Sequence, residues 1–164
     1  MFDFNHEQAE LLNIAKAEGS VYLSFNSEHM SLVTNGFLKT KNRTCELGAN
    51  YSLTNMGKLA VEGDENKIKL FCYIVKKSNE AMTASVELFD LKSSQIDNLA
   101  KRGDYCQVLK GDIVCGCGID EELSVKLLHK LNKANLINSH VEYETISYWP
   151  KDFRLISREL SFFK

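Results

Sequence analysis

Hydrophobic and polar positions recur along this chain with two different periods, and the switches between them mark its elements. Leu11, Leu12 and Ala15 share one helical face, Asn5 stands at a cap with Gln8 in the capping-box position, and Gly19 ends the run, which predicts a helix over 5–18. Val21, Leu23 and Phe25 then alternate with Ser20, Tyr22 and Ser24, the pattern of a half-buried strand. Residues 27–38 admit two readings. A hairpin turning on Asn35-Gly36 is preferred, because Asn-Gly accepts the positive φ of a two-residue turn; the rival is a short helix over 27–35 closed by Gly36. Tyr51 to Thr54 reads as a strand with at most one helical turn after it.

Further on, Lys67 to Val75 and Met82 to Phe89 are dense in β-branched, aromatic and other apolar residues. They are predicted as an antiparallel pair joined by a polar turn over 76–80. Ser94 to Arg102 predicts a helix ended by Gly103, and Tyr105–Lys110 with Ile113–Cys117 a hairpin about Gly111-Asp112. Residues 120–134 carry the clearest helical pattern. Asp120 caps it, Leu123, Leu127, Leu128 and Leu131 line one face, acids open it and lysines close it, matching the macrodipole. Val141–Trp149 and Phe153–Phe163 complete the chain as two strand-like runs broken at Pro150.

These elements predict an α+β fold: an antiparallel sheet of hairpins with about three helices packed on one face, in a single domain over 1–164. Phe2-Asp3-Phe4 set beside Phe89-Asp90-Leu91, each followed by a helix and a strand, is a faint echo of two strand–helix–hairpin units over 1–80 and 84–164. With 44% hydrophobic and 26% charged residues, disordered and low-complexity classes are excluded. The amino terminus lacks the basic start and apolar core of a secretory signal and no apolar run reaches membrane-spanning length, so a cytoplasmic protein with no membrane partner is expected. A formal net charge of −2 supplies no global positive field to draw the chain onto a polyanion.

Five cysteines, an odd number lying mostly in apolar stretches, point to reduced thiols. In the predicted hairpin, Cys106, Cys115 and Cys117 project to one face, and with His129 or His140 they are a candidate Cys3His zinc shell, but Cys-x-Cys is not zinc-knuckle spacing and core packing is the preferred reading of these cysteines. No nucleophile elbow, His-Glu-x-x-His helix, Walker loop or dinucleotide fingerprint occurs, so no catalytic residues and no cofactor are assigned. Glu142 and Glu144 share a face of a predicted strand and read as solvated charge. Lys39, Lys41 and Arg43 are the candidate nucleic-acid contacts.

Gly36-Phe37-Leu38-Lys39 through Tyr51-Ser52-Leu53-Thr54-Asn55-Met56-Gly57-Lys58 resembles the wing and closing segment of winged-helix regulators, where a Gly-Phe/Leu-Leu step ends the recognition helix and Tyr-x-Leu-Thr-x-x-Gly-Lys follows the wing. The resemblance implies DNA binding, but Gly19 to Gly36 leaves no room for a full recognition helix. The strand–helix–hairpin plan at Met1–Phe37 and Phe89–Cys117 is similar to the repeating unit of processivity sliding clamps. The leading expectation is nonetheless a small non-catalytic protein-binding module, an inhibitor, adaptor or immunity-type protein that occupies a partner's surface. The aromatic-rich tail offers Tyr148, Trp149, Phe162 and Phe163 as contacts, and a homodimer is compatible with open strand edges. The alternative is a nucleic-acid-binding regulator; the third is a metal protein or enzyme using the cysteine face and His129.

Overall fold

The two longer helices in the first part of the chain each start at a side chain that takes up an orphan backbone N–H. In α1 (His6–Glu18) Asn5 Oδ1 accepts the Gln8 N–H at 2.8 Å while Gln8 Oε1 accepts the Asn5 N–H at 3.0 Å, and the helix buries Leu12 and Ala15. The chain continues through β1 (Val21–Ser24), a 3-10 turn over Glu28–Met30, and α2 (Ser31–Thr34). It then forms β2 (Leu38–Arg43), β3 (Gly48–Leu53) and α3 (Asn55–Glu62). The three strands are antiparallel in the order β1–β3–β2. Residues 28–34 are therefore helical, and the preferred hairpin reading gives way to its rival. Leu32 is fully buried, and the Phe37 N–H returns to the Leu32 carbonyl at 2.9 Å, so Asn35-Gly36 closes a helix.

The Tyr-x-Leu-Thr-x-x-Gly-Lys run has a physical explanation in this unit. Tyr51 and Leu53 face the core, and Thr54 caps α3 by accepting the Gly57 N–H at 3.0 Å. Gly57 lies where any Cβ would strike the Phe37 carbonyl, so α3 can cross there only on a glycine. Where the winged-helix resemblance places a wing and closing segment, the structure has β2, β3 and α3; the helix before them is only the short α2.

The computed structural model describes residues 1–43 and 45–156. The chain divides into two compact units, the first built on Met1–Asp64 and the second beginning at Glu65. Among the described residues it is a mixed α+β chain with seven α-helices and two three-stranded antiparallel sheets.

The second unit opens with α4 (Glu65–Phe89), one 25-residue helix where two strands were expected. Ile68, Phe71, Val75, Ser78 and Met82 are buried at helical spacing, and Asn79 Nδ2 donates to the Val75 carbonyl at 3.0 Å. With no Gly or Pro over 76–80, nothing there breaks the helix. Next come α5 (Ser93–Arg102), β4 (Val108–Leu109), α6 (Lys110–Gly116), α7 (Glu121–Lys133), β5 (Ile137–Glu142), β6 (Thr145–Pro150) and a 3-10 turn over Phe153–Leu155. The order β4–β6–β5 repeats that of the first sheet. Two further expectations are corrected. Gly111-Asp112 belongs to the first turn of α6, with Ile113 buried beneath it, and is not a hairpin turn; the clamp-like plan over 89–117 is lost with it. The predicted strand over Val141–Trp149 folds back on itself at Tyr143-Glu144.

Candidate functional site

In the second unit, α6 and α7 are joined by Cys117–Asp120 and followed directly by the β5–β6 hairpin. Two helices joined by a tight turn and followed by a hairpin share the element order of a helix-turn-helix with a wing. Asp120 accepts the Leu123 N–H at 3.1 Å and sets the start of α7, which buries Ser124, Leu127, Leu128 and Leu131. The opposite face presents Glu122, Lys126, His129 and Lys133. Asn132 Nδ2 donates to Ser139 Oγ at 2.7 Å and joins the Val125 edge of the helix to β5, whose next residue on the same face is Val141.

A helix that reads DNA presents its first turns to the bases, yet α7 opens on Asp120, Glu121 and Glu122. Lys126 is tied to Glu122 at 2.6 Å, which spends one of the few cations on that face. The hairpin is also acidic, through Glu142 and Glu144, and its exposed residues include apolar ones. Val141 is 65% exposed and Tyr143, at the tip, 92%. Tyr143 and Glu144 hold φ of 45° and 68°, left-handed values that a two-residue turn normally assigns to Asn and Gly. Holding two L side chains there costs about 1–2 kcal/mol each, the kind of strain that clusters at functional sites. Beside the tip, a shallow groove of about 270 Å³ runs along the other side of the hairpin past His140 and Thr145 to Leu109, itself 48% exposed.

The tail aromatics do not form this surface. Tyr148 and Trp149 are each 8% exposed: Trp149 packs with Met82, Ala100, Cys106 and Ile156, and burial raises the Tyr148 phenol above its ordinary value. They are core residues, which corrects their assignment as contacts; Phe162 and Phe163 lie outside the described residues.

The cysteine face does not assemble either. Cys106 is fully buried, Cys117 meets Ser124 Oγ at 3.4 Å, and Cys115 is exposed on α6. Burial, with Asp104 adding to it, pushes the Cys106 thiol up to about 12. His129 is exposed on α7, and among the described residues the grouping whose donor atoms come within reach of one ion is Glu7, Glu28 and His29. There His29 Nε2 stands 3.4 Å from Glu7 and 3.8 Å from Glu28, and the three account for one another as ion pairs when the imidazole is protonated.

Lys39, Lys41 and Arg43 all lie exposed on β2, but a bulge between Thr40 and Asn42 interrupts their alternation, and the Arg43 guanidinium lies 5.4 Å over the Phe25 ring. Neither Val141 nor Tyr143 was marked by the sequence, because nothing in Val141-Glu142-Tyr143-Glu144 signals a turn. Comparison of the chain with models of known protein families, with curated proteins and with solved structures gives no match.

Proposed function

We propose that this protein is a non-catalytic protein-binding module that docks a partner through the end of the β5–β6 hairpin and the adjoining edge of α7. The observation that carries this reading is Tyr143, an almost fully exposed aromatic held at positive φ on the hairpin tip, with exposed Val141 two residues before it. Tyr is a favoured interface anchor because it buries much area while ordering few torsions. Glu142 and Glu144 flank it, so the complementary partner is a protein segment offering apolar side chains beside lysine or arginine.

A second reading, nucleic-acid binding, is favoured by the helix-turn-helix and hairpin order itself. One experiment separates the two. Wild type, Tyr143→Ala and Val141→Glu are used as baits in native extract, with labelled duplex and single-stranded oligonucleotides titrated in parallel at about 50 and 200 mM salt. Our reading expects a protein held by wild type and released by both variants, with no salt-sensitive oligonucleotide binding. Oligonucleotide affinity that falls steeply with salt and disappears in Lys130→Glu or Lys133→Glu would replace it with the second reading.

A further inference from the structure

The first unit is acidic, with five basic residues against eight acidic ones over Met1–Asp64, yet it gathers four of its five cations in one place. Lys16 from α1, Lys39 from β2 and Lys58 from α3 converge on an open depression of about 570 Å³ floored by Ala15, Leu53 and Val61. Ser52, the strand partner of Lys39, adds a hydroxyl to the same wall. Lys41 reaches the rim, its Nζ 3.8 Å from where a Cβ at Gly19 would stand.

Among the described residues, no carboxylate lies within 4.0 Å of any of these four ammonium groups, and Glu62 is the one acid on the lining. Lys16 donates to the Val61 carbonyl at 3.3 Å, and with Lys41 it stands near the last turn of α1, where the negative end of the helix dipole favours cations. That accounts for two lysines. Lys39 and Lys58 come from other elements, separated in sequence, and the dipole does not explain why they point to the same hollow.

We infer that this depression is a binding site for a small polyphosphate ligand of nucleotide size. Four lysines set against one glutamate leave an excess of positive charge that matches two or three phosphates. Lysine binds phosphate as a movable point charge, and the apolar floor gives a base or other flat group a surface to lie on. The volume falls within the range of small-molecule sites. This inference concerns the first unit alone and does not depend on the docking surface of the second.

The test is calorimetric titration of the full chain, without divalent metal, using inorganic tripolyphosphate, a nucleoside triphosphate and a single-stranded oligonucleotide as separate probes. Saturable one-to-one binding of tripolyphosphate or the nucleoside triphosphate is expected, weakened about tenfold or more in Lys39→Gln and in Lys58→Gln, as for loss of a charge-assisted hydrogen bond, and unchanged in Lys92→Gln. All three positions are exposed, and unchanged melting of the unliganded variants shows that the fold is intact. The inference is overturned by no saturable binding up to millimolar probe, by equal affinity in all variants, or by binding confined to the oligonucleotide with steep salt dependence.

Discussion

Replacing Gly103 with alanine should destabilise the second unit by about 2–5 kcal/mol, a figure composed of two independent costs. Gly103 caps α5 at φ +81°, where an L residue costs about 1–2 kcal/mol. Its added Cβ would also stand 2.6 and 2.7 Å from Cε2 and Cζ2 of Trp149. The indole cannot step aside without disturbing Met82, Ala100, Cys106 and Ile156, and such overpacking costs about 1–3 kcal/mol. Urea unfolding measures the loss, and because Trp149 is the only tryptophan its fluorescence reports on this contact directly. The two costs separate in a double-mutant cycle read by far-UV circular dichroism: Trp149→Phe makes room for the methyl group and leaves the backbone strain. A coupling of at least about 1 kcal/mol is expected between the substitutions. Strict additivity, or a loss under about 1 kcal/mol for Gly103→Ala alone, would refute the claim that Trp149 is a core residue seated on Gly103.

Three other outcomes are expected. Converting the hairpin tip to Asn-Gly, by Tyr143→Asn with Glu144→Gly, should raise stability by about 1–2 kcal/mol in denaturant titration while weakening partner binding, since it relieves strain and removes the anchor together. Ellman titration of the native protein should find Cys45 and Cys115 reactive, with Cys72, Cys106 and Cys117 reacting only after unfolding. Burial raises the Cys106 thiol above its ordinary value of 9.0 to about 12. Its contribution to stability is therefore fully present below pH 9 and falls as pH rises from 9 toward 12, where the unfolded chain ionises first; Cys106→Ala should lessen that alkaline slope in pH-dependent urea melts.

The elements legible in the sequence were those whose ends are chemically marked. Asn5 with Gln8 and Gly19 bracket α1, Asp120 and the terminal lysines bracket α7, and Gly103 closes α5, so period and caps agreed. The long helix α4 escaped because its run from Ile68 to Val75 is nearly all apolar, and a buried helix and a buried strand look alike over such a stretch. Asn35-Gly36 and Gly111-Asp112 carry hairpin signals that tertiary contacts overrule: burial of Leu32 and of Ile113 draws both segments into helices.

The candidate surface was less legible still. Composition cannot separate a sealed ring from an exposed one, so Trp149 stood out while Tyr143 did not. The turn that lifts Tyr143 into solvent uses Tyr-Glu, residues with no turn signature. In the first unit Lys39 and Lys41 were visible as a local cluster, whereas Lys16 and Lys58 join them only through the packing of α1 and α3 around the sheet.

Photocrosslinking in living cells tests the docking surface most directly. A benzophenone amino acid placed at position 143 and, as a control, at the exposed position 87 of α4 samples what each site touches. Position 143 should give one discrete protein adduct that position 87 lacks and that Val141→Glu abolishes. A nuclease-sensitive adduct, or the same adducts at both positions, would contradict the account.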